Sequence, residues 1–155
     1  MPKMKKIILV ASAGGHLSQL LKVKSAWEDC KNCVYVTSLE ALRGKLMVLG
    51  KTHITKECNR EHPVMTLIVM IKSLTIILEE RPHIVISTGA APGLICCLWA
   101  KLLFRSKVLW LDSIANTEKL SMSGRIIRPF ADVILSQWAD VALKYKNVEY
   151  VGSVF

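Results

Sequence analysis

Aromatic side chains are scarce in this chain of 155 residues, at 6%, and they do not interleave with basic ones. That composition argues against a stacking platform for nucleic acid, so no nucleic-acid partner is expected. Acidic residues are also few, 12 Asp and Glu against 21 Lys and Arg, and the net charge of +9 is spread along the chain. Such an excess favours a partner with negative charge, a phosphate compound or an anionic membrane surface. No apolar run reaches the ~20 residues that cross a bilayer. The nearest candidate, Val64 to Leu78, is interrupted by Lys72. It reads either as a helix buried on most sides or as one that buries one face and dips the other into lipid headgroups. The run Ile7 to Ala11 is too short for the core of a secretory leader, so none is expected.

Several chemical signatures are missing as well. The five cysteines (Cys30, Cys33, Cys58, Cys96, Cys97) are odd in number and two are adjacent, as expected of free thiols in a reducing cytosol. Cys30 and Cys33 match C-x-x-C, but there is no second ligand pair for zinc and no helix start for a redox pair. The first glycine turn lacks G-x-G-x-x-G, no acidic residue ends the second strand, and no Gly-Lys-Ser/Thr triplet forms a P-loop. A nicotinamide enzyme and a P-loop enzyme are therefore disfavoured. No Asp-x-Asp pair suggests a metal, and no metal or cofactor is expected.

What is present is a core and a rhythm. Hydrophobic residues make up 52% of the chain, enough for one domain over residues 1–155. Apolar, β-branched runs predict strands at Lys5–Ala11, Asn32–Thr37, His53–Lys56, His83–Ser87, Lys107–Leu111, Val133–Leu135 and Val148–Val151. Between them, helical spacing is read from His16 through Trp27, around Leu39–Met47, over Pro63–Glu80, over Gly93–Phe104, within Ile114–Pro129 and over Ala139–Tyr145. Strands alternating with helices indicate an α/β fold, a Rossmann-like and mainly parallel sheet with helices on both faces.

In that strand order ligands bind beyond the carboxyl ends of strands one and four. The loops there are Ser12-Ala13-Gly14-Gly15-His16 and Ser87-Thr88-Gly89-Ala90-Ala91-Pro92. Glycines let a backbone approach a ligand closely, and helix N-termini offer free N–H groups, so a phosphate or pyrophosphate is the expected ligand. The competing explanation is that these glycines only permit tight turns. His16 opens a helix facing the cleft, where it could take a proton from a hydroxyl or bind an anion. The positive helix end favours its neutral form. Asp112 ends the fifth strand and is a catalytic or a helix-capping carboxylate; Ser113 beside it could cap or bind the ligand. Arg125 and Arg128 could reach a phosphate or solvate a loop. Lys101, Arg105 and Lys107, with the Val64–Leu78 helix, could form a greasy, positive face for an anionic membrane.

KIILVASAGGHLSQLL, VISTGAAPGLICCLWAKLL and LSMSGRIIRPFADVILSQW, with the stretches joining the last two and running to the end, resemble the bacterial PssD-type oligosaccharide and capsular-polysaccharide biosynthesis proteins. That group is similar to the membrane-anchoring subunit of the eukaryotic two-subunit UDP-GlcNAc transferase. It is also similar to the N-terminal half of MurG, a GT-B glycosyltransferase acting on a polyprenyl-linked acceptor. The resemblance implies the acceptor-side domain of a GT-B enzyme whose donor-binding half is a separate partner supplying the UDP-sugar. The sequence ends near Tyr150–Phe155, where a crossing to a second domain would begin. The resemblance further implies that Gly14, Gly15 and His16 meet the acceptor pyrophosphate and reaction centre, with Thr88, Gly89 and Ala90 lining the same cleft; Ser12, Ser113 and Arg125 are expected to bind the acceptor or its phosphate there. The family often has glutamate where Asp112 stands. The expected acceptor is a polyprenyl-diphosphate-linked saccharide, and the expected location is cytoplasmic, on the inner face of the plasma membrane, through a peripheral contact. Two rivals stay open: a non-catalytic activator or membrane scaffold for a partner transferase, and a self-sufficient small nucleotide-binding enzyme.

Overall fold

The computed structural model describes residues 5–58 and 61–154. Phe155, the last residue of the Tyr150–Phe155 stretch, lies outside them. Among the described residues seven strands form one sheet: β1 (Ile7–Val10), β2 (Cys33–Thr37), β3 (Lys51–Ile54), β4 (Ile84–Ser87), β5 (Lys107–Leu111), β6 (Val133–Ser136) and β7 (Val148–Tyr150). Their spatial order is β3-β2-β1-β4-β5-β6-β7, and every pairing is parallel. The chain winds outward from β1 to β3, crosses back to β4, and winds outward the other way. That reversal places the carboxyl ends of β1 and β4 side by side, with Val10 in register with Ser87.

The helices are α1 (Gly15–Lys22), α2 (Arg43–Met47), α3 (Pro63–Glu80), α4 (Ala90–Phe104), α5 (Met122–Ile127) and α6 (Ala139–Leu143). Successive strand residues point to opposite faces, so a strand covered on both sides reads as an unbroken apolar run. In β1, Ile8 and Val10 pack with Val85, Trp110 and residues of α3, α4 and α5. Leu9 and Ala11 pack the other way, with Leu17, Leu20, Trp27 and Leu46.

Three expectations need correction. The third strand runs over Lys51–Ile54 and not His53–Lys56, because its ladder to β2 begins at Lys51 opposite Val34. Gly50 allows this: a Cβ there would sit 2.5 Å from the Cys33 carbonyl oxygen. α4 begins at Ala90 and not at Gly93, so the expected turn Ala90–Pro92 is the helix's first turn, where proline needs no N–H donor. Finally, α3 is not buried on most sides. Val69, Ser73, Ile76, Ile77 and Glu80 face the protein, while Val64, Leu67, Ile68, Ile71 and Leu78 are exposed.

Candidate functional site

The two glycine loops meet. Gly14 caps α1 with φ +85°, a backbone conformation that an L side chain rarely adopts, and the chain then enters the helix. The loop's base is tied down by Ser38, whose hydroxyl accepts the Ala13 N–H at 2.9 Å and donates to the Glu57 carboxylate. Ser12 lies buried beneath it, and Gly15 is exposed with open space where a side chain would stand.

Across the cleft, buried Thr88 grips the start of α1 twice. Its hydroxyl donates to the His16 carbonyl at 2.6 Å, and its own carbonyl lies 2.8 Å from His16 Nδ1. A carbonyl can only accept, so Nδ1 carries the proton, and in the neutral ring Nε2 is left with a free lone pair. Gly89, with φ +127°, passes so close that a Cβ there would lie 2.7 Å from His16 Cε1. Its N–H is held by Ser87 Oγ at 3.2 Å. Ala90 follows with φ +66°, a left-handed conformation that costs a non-glycine residue energy and is met at binding and active sites. An apolar hollow of about 280 Å³ reaches Thr88 from below, between Val23, Trp27, Leu111 and Leu135. A larger depression of about 530 Å³, lined by Lys5, Ile7, Trp27 and Ile84, opens at the amino ends of β1 and β4, the opposite end of the sheet.

Other candidates are placed elsewhere. Asp112 is buried, and its carboxylate accepts from Trp110 Nε1 (3.0 Å), Ser121 N–H (2.8 Å) and Ser121 Oγ (2.6 Å). Ser121 in turn caps α5 through the Gly124 N–H. Asp112 thus secures a helix cap, and its lone pairs serve the fold. Ser113 accepts the Ala115 N–H within its own loop. Arg125 is exposed on α5, and no contact joins it to His16 or Thr88 among the described residues. Arg128 stacks over the Tyr145 ring, 5.5 Å from its centroid. Lys101 and Lys107 both pair with Asp132, at 2.7 and 3.0 Å, so the three groups together carry one positive charge. Burial, with Cys30 alongside, pushes the Cys33 thiol up to about 12, which keeps it protonated and a poor nucleophile.

Sequence reasoning passed over Ser38, Glu57, Gln19 and Gln137. Ser38 and Gln137 are single polar residues just after strands, and nothing local distinguishes them. Gln19 carried a signal, a polar residue between Leu17 and Leu20 on the buried face of α1.

A family model described as "Oligosaccharide biosynthesis protein Alg14 like" matches residues 38–154. The chain is 26% identical to the UDP-N-acetylglucosamine transferase subunit alg14 of Schizosaccharomyces pombe, covering 99% of this chain and 85% of that protein. It is 25% identical to the corresponding subunit of Yarrowia lipolytica, over 95% and 80% of the two chains. For the subunit of Mus musculus the identity is 22%, over 96% and 82%. These relatives are eukaryotic; they bear out the Alg14 side of the resemblance and lend no support to its bacterial capsular side. Among solved structures, MurG of Acinetobacter baumannii superposes with a TM-score of 0.74 at 13% identity, over 96% of this chain and 46% of that one. A UDP-N-acetylglucosamine 2-epimerase from Rickettsia bellii gives 0.72 at 13% identity, over 97% and 45%. At such identity the likeness shows the fold, and the chain spans a little under half the length of these structures.

Proposed function

The chain belongs to the Alg14-like family of oligosaccharide biosynthesis proteins, and from that premise we propose that it is the acceptor-side subunit of a two-component, inverting glycosyltransferase. In this reading a separate donor-binding subunit presents the UDP-sugar, and the acceptor is a polyprenyl-diphosphate-linked saccharide whose diphosphate lies against Gly14, Gly15 and the N-terminus of α1. The observation that carries the reading is the aim of His16. With Nδ1–H turned to Thr88 O, Nε2 is the ring nitrogen left to act as a base, and it lies 3.7 Å from where a Cβ on Gly89 would stand. There it accepts the proton of the acceptor hydroxyl while that oxygen attacks the anomeric carbon. The bond from that carbon to the donor phosphate breaks, and UDP leaves with the bonding electron pair. Asp112 has no part in this step, since its carboxylate is engaged by Trp110 and Ser121.

In this proposal the protein works at the inner face of a bacterial plasma membrane, in capsular or exopolysaccharide synthesis, as the resemblance of its sequence to the PssD-type proteins implies. No helix among the described residues is long and apolar enough to cross a membrane. The exposed apolar face of α3, beside Leu102 and Leu103 of α4, supports a peripheral contact. The test of the catalytic assignment is His16→Ala in the reconstituted pair. The rate is expected to fall by about 10²–10⁴-fold, the usual weight of a general base, with donor affinity unchanged. A full rate would overturn it and leave the chain an activator or scaffold. Turnover of UDP-sugars by the chain alone would overturn the two-component reading.

A further inference from the structure

Two buried glutamines lie behind the cleft, and the mechanism above does not use them. Gln19 stands one turn after His16 on α1 and is 2% exposed; Gln137 follows β6 and is 3% exposed. Gln137 Nε2 donates to Gln19 Oε1 at 2.6 Å and to the Asp112 carbonyl at 3.0 Å, while its Oε1 accepts the Val154 N–H at 3.0 Å. Gln19 Oε1 also accepts the Ile114 N–H at 3.4 Å, and its Nε2 reaches Ser113 Oγ at 3.5 Å. The chemistry fixes both amides: flipping either would set oxygen against oxygen or N–H against N–H.

The pair therefore joins α1, the loop after β5, the end of β6 and the segment at Val154. Burying two amides is unfavourable unless nearly every polar atom is matched, as it is here. Two leucines of similar volume would pack the same space without that demand, but they would not fix where α1 sits. Its N-terminus needs such fixing, because Gly14 provides no side-chain cap. The histidine ring is held at one end by Thr88, and the helix beneath it is held by Gln19.

We infer that Gln19 and Gln137 are positioning residues for the acceptor site, setting the placement of α1 over the sheet and so the aim of His16 Nε2. The inference rests on the His16 reading above. The test is a double-mutant cycle in the reconstituted pair, with Gln19→Met, which keeps the volume and removes the amide. On the native background kcat is expected to fall at least tenfold with KM for the donor within about twofold, a loss of about 1.4 kcal/mol or more. On the His16→Ala background the same change is expected to cost under about twofold, because the group it aims is gone. Equal losses on both backgrounds, or no loss on the native one, would overturn the proposal. If His16→Ala itself leaves the rate intact, the catalytic reading fails instead, and the two failures are distinct. Should Gln19→Met not fold, Gln137→Asn keeps an amide but shortens its reach, and is read by the same two comparisons.

Discussion

Gly89 is where a single methyl group tests the site. Alanine there would place Cβ 2.7 Å from the His16 ring, at a φ of +127° that it adopts only with strain. Gly89→Ala should turn His16 out of its contact with Thr88 and lower kcat of the reconstituted pair by an order of magnitude or more. Strain of this kind costs about 1–3 kcal/mol, so the fold should survive, as a thermal melt would show; an unchanged kcat would contradict the geometry. The residue scale is also where sequence reading reaches its limit. The place of His16 at the start of α1 was legible from the glycine turn before it and the helical spacing after it. For Asp112 the sequence left a catalytic and a helix-capping role open, and the return of the loop that brings Ser121 to its carboxylate decides for the cap.

At the scale of an element, α3 is the informative case. Its limits Pro63–Glu80 were plain in sequence: proline suits the first helical position, and Arg81-Pro82 stops the helix. Its environment was not. A helix apolar all round gives no periodic hint of which side is covered, and only packing against α4 leaves Leu67, Ile68 and Ile71 in solvent, at 56%, 42% and 59% exposure. Fully burying such side chains is worth roughly 1.5–3 kcal/mol each. If this face meets lipid, replacing the three with serine should weaken binding to anionic vesicles at least tenfold while leaving the helical circular dichroism unchanged. Undiminished flotation with vesicles would exclude α3 as the contact. Lys72 and Arg105 are exposed and carry positive charge, and Lys101 with Lys107 adds one more beyond what Asp132 neutralises.

For the whole molecule, one buried carboxylate ties distant parts together. Burial alone would raise Glu80's pKa, but Lys51, His53 and Lys6 all bind it and hold it at about 2. Those partners come from β3 and the approach to β1, while Glu80 ends α3. Because the folded value lies below the unfolded one of about 4.3, this contribution is fully present above that pH and is lost as pH falls toward 2. The gap is worth on the order of 3 kcal/mol. Glu80→Gln should therefore lower the unfolding free energy at pH 7 and flatten its fall between about pH 5 and 2; denaturant titrations across that range would check it, and an unaltered slope would refute it. The same contrast separates what sequence and structure each decide. The order of strands and helices, the two glycine loops and the histidine opening α1 were determined by sequence alone, because periodicity, chain reversal and helix starts are local properties of the backbone. The contact of His16 Nδ1 with Thr88, the occupied carboxylate of Asp112, the bare face of α3 and the glutamine pair were decided only by tertiary structure. The separations run from the 9 positions between Asp112 and Ser121 to the 72 between His16 and Thr88 and the 118 between Gln19 and Gln137, and only the packing of strands and helices closes them.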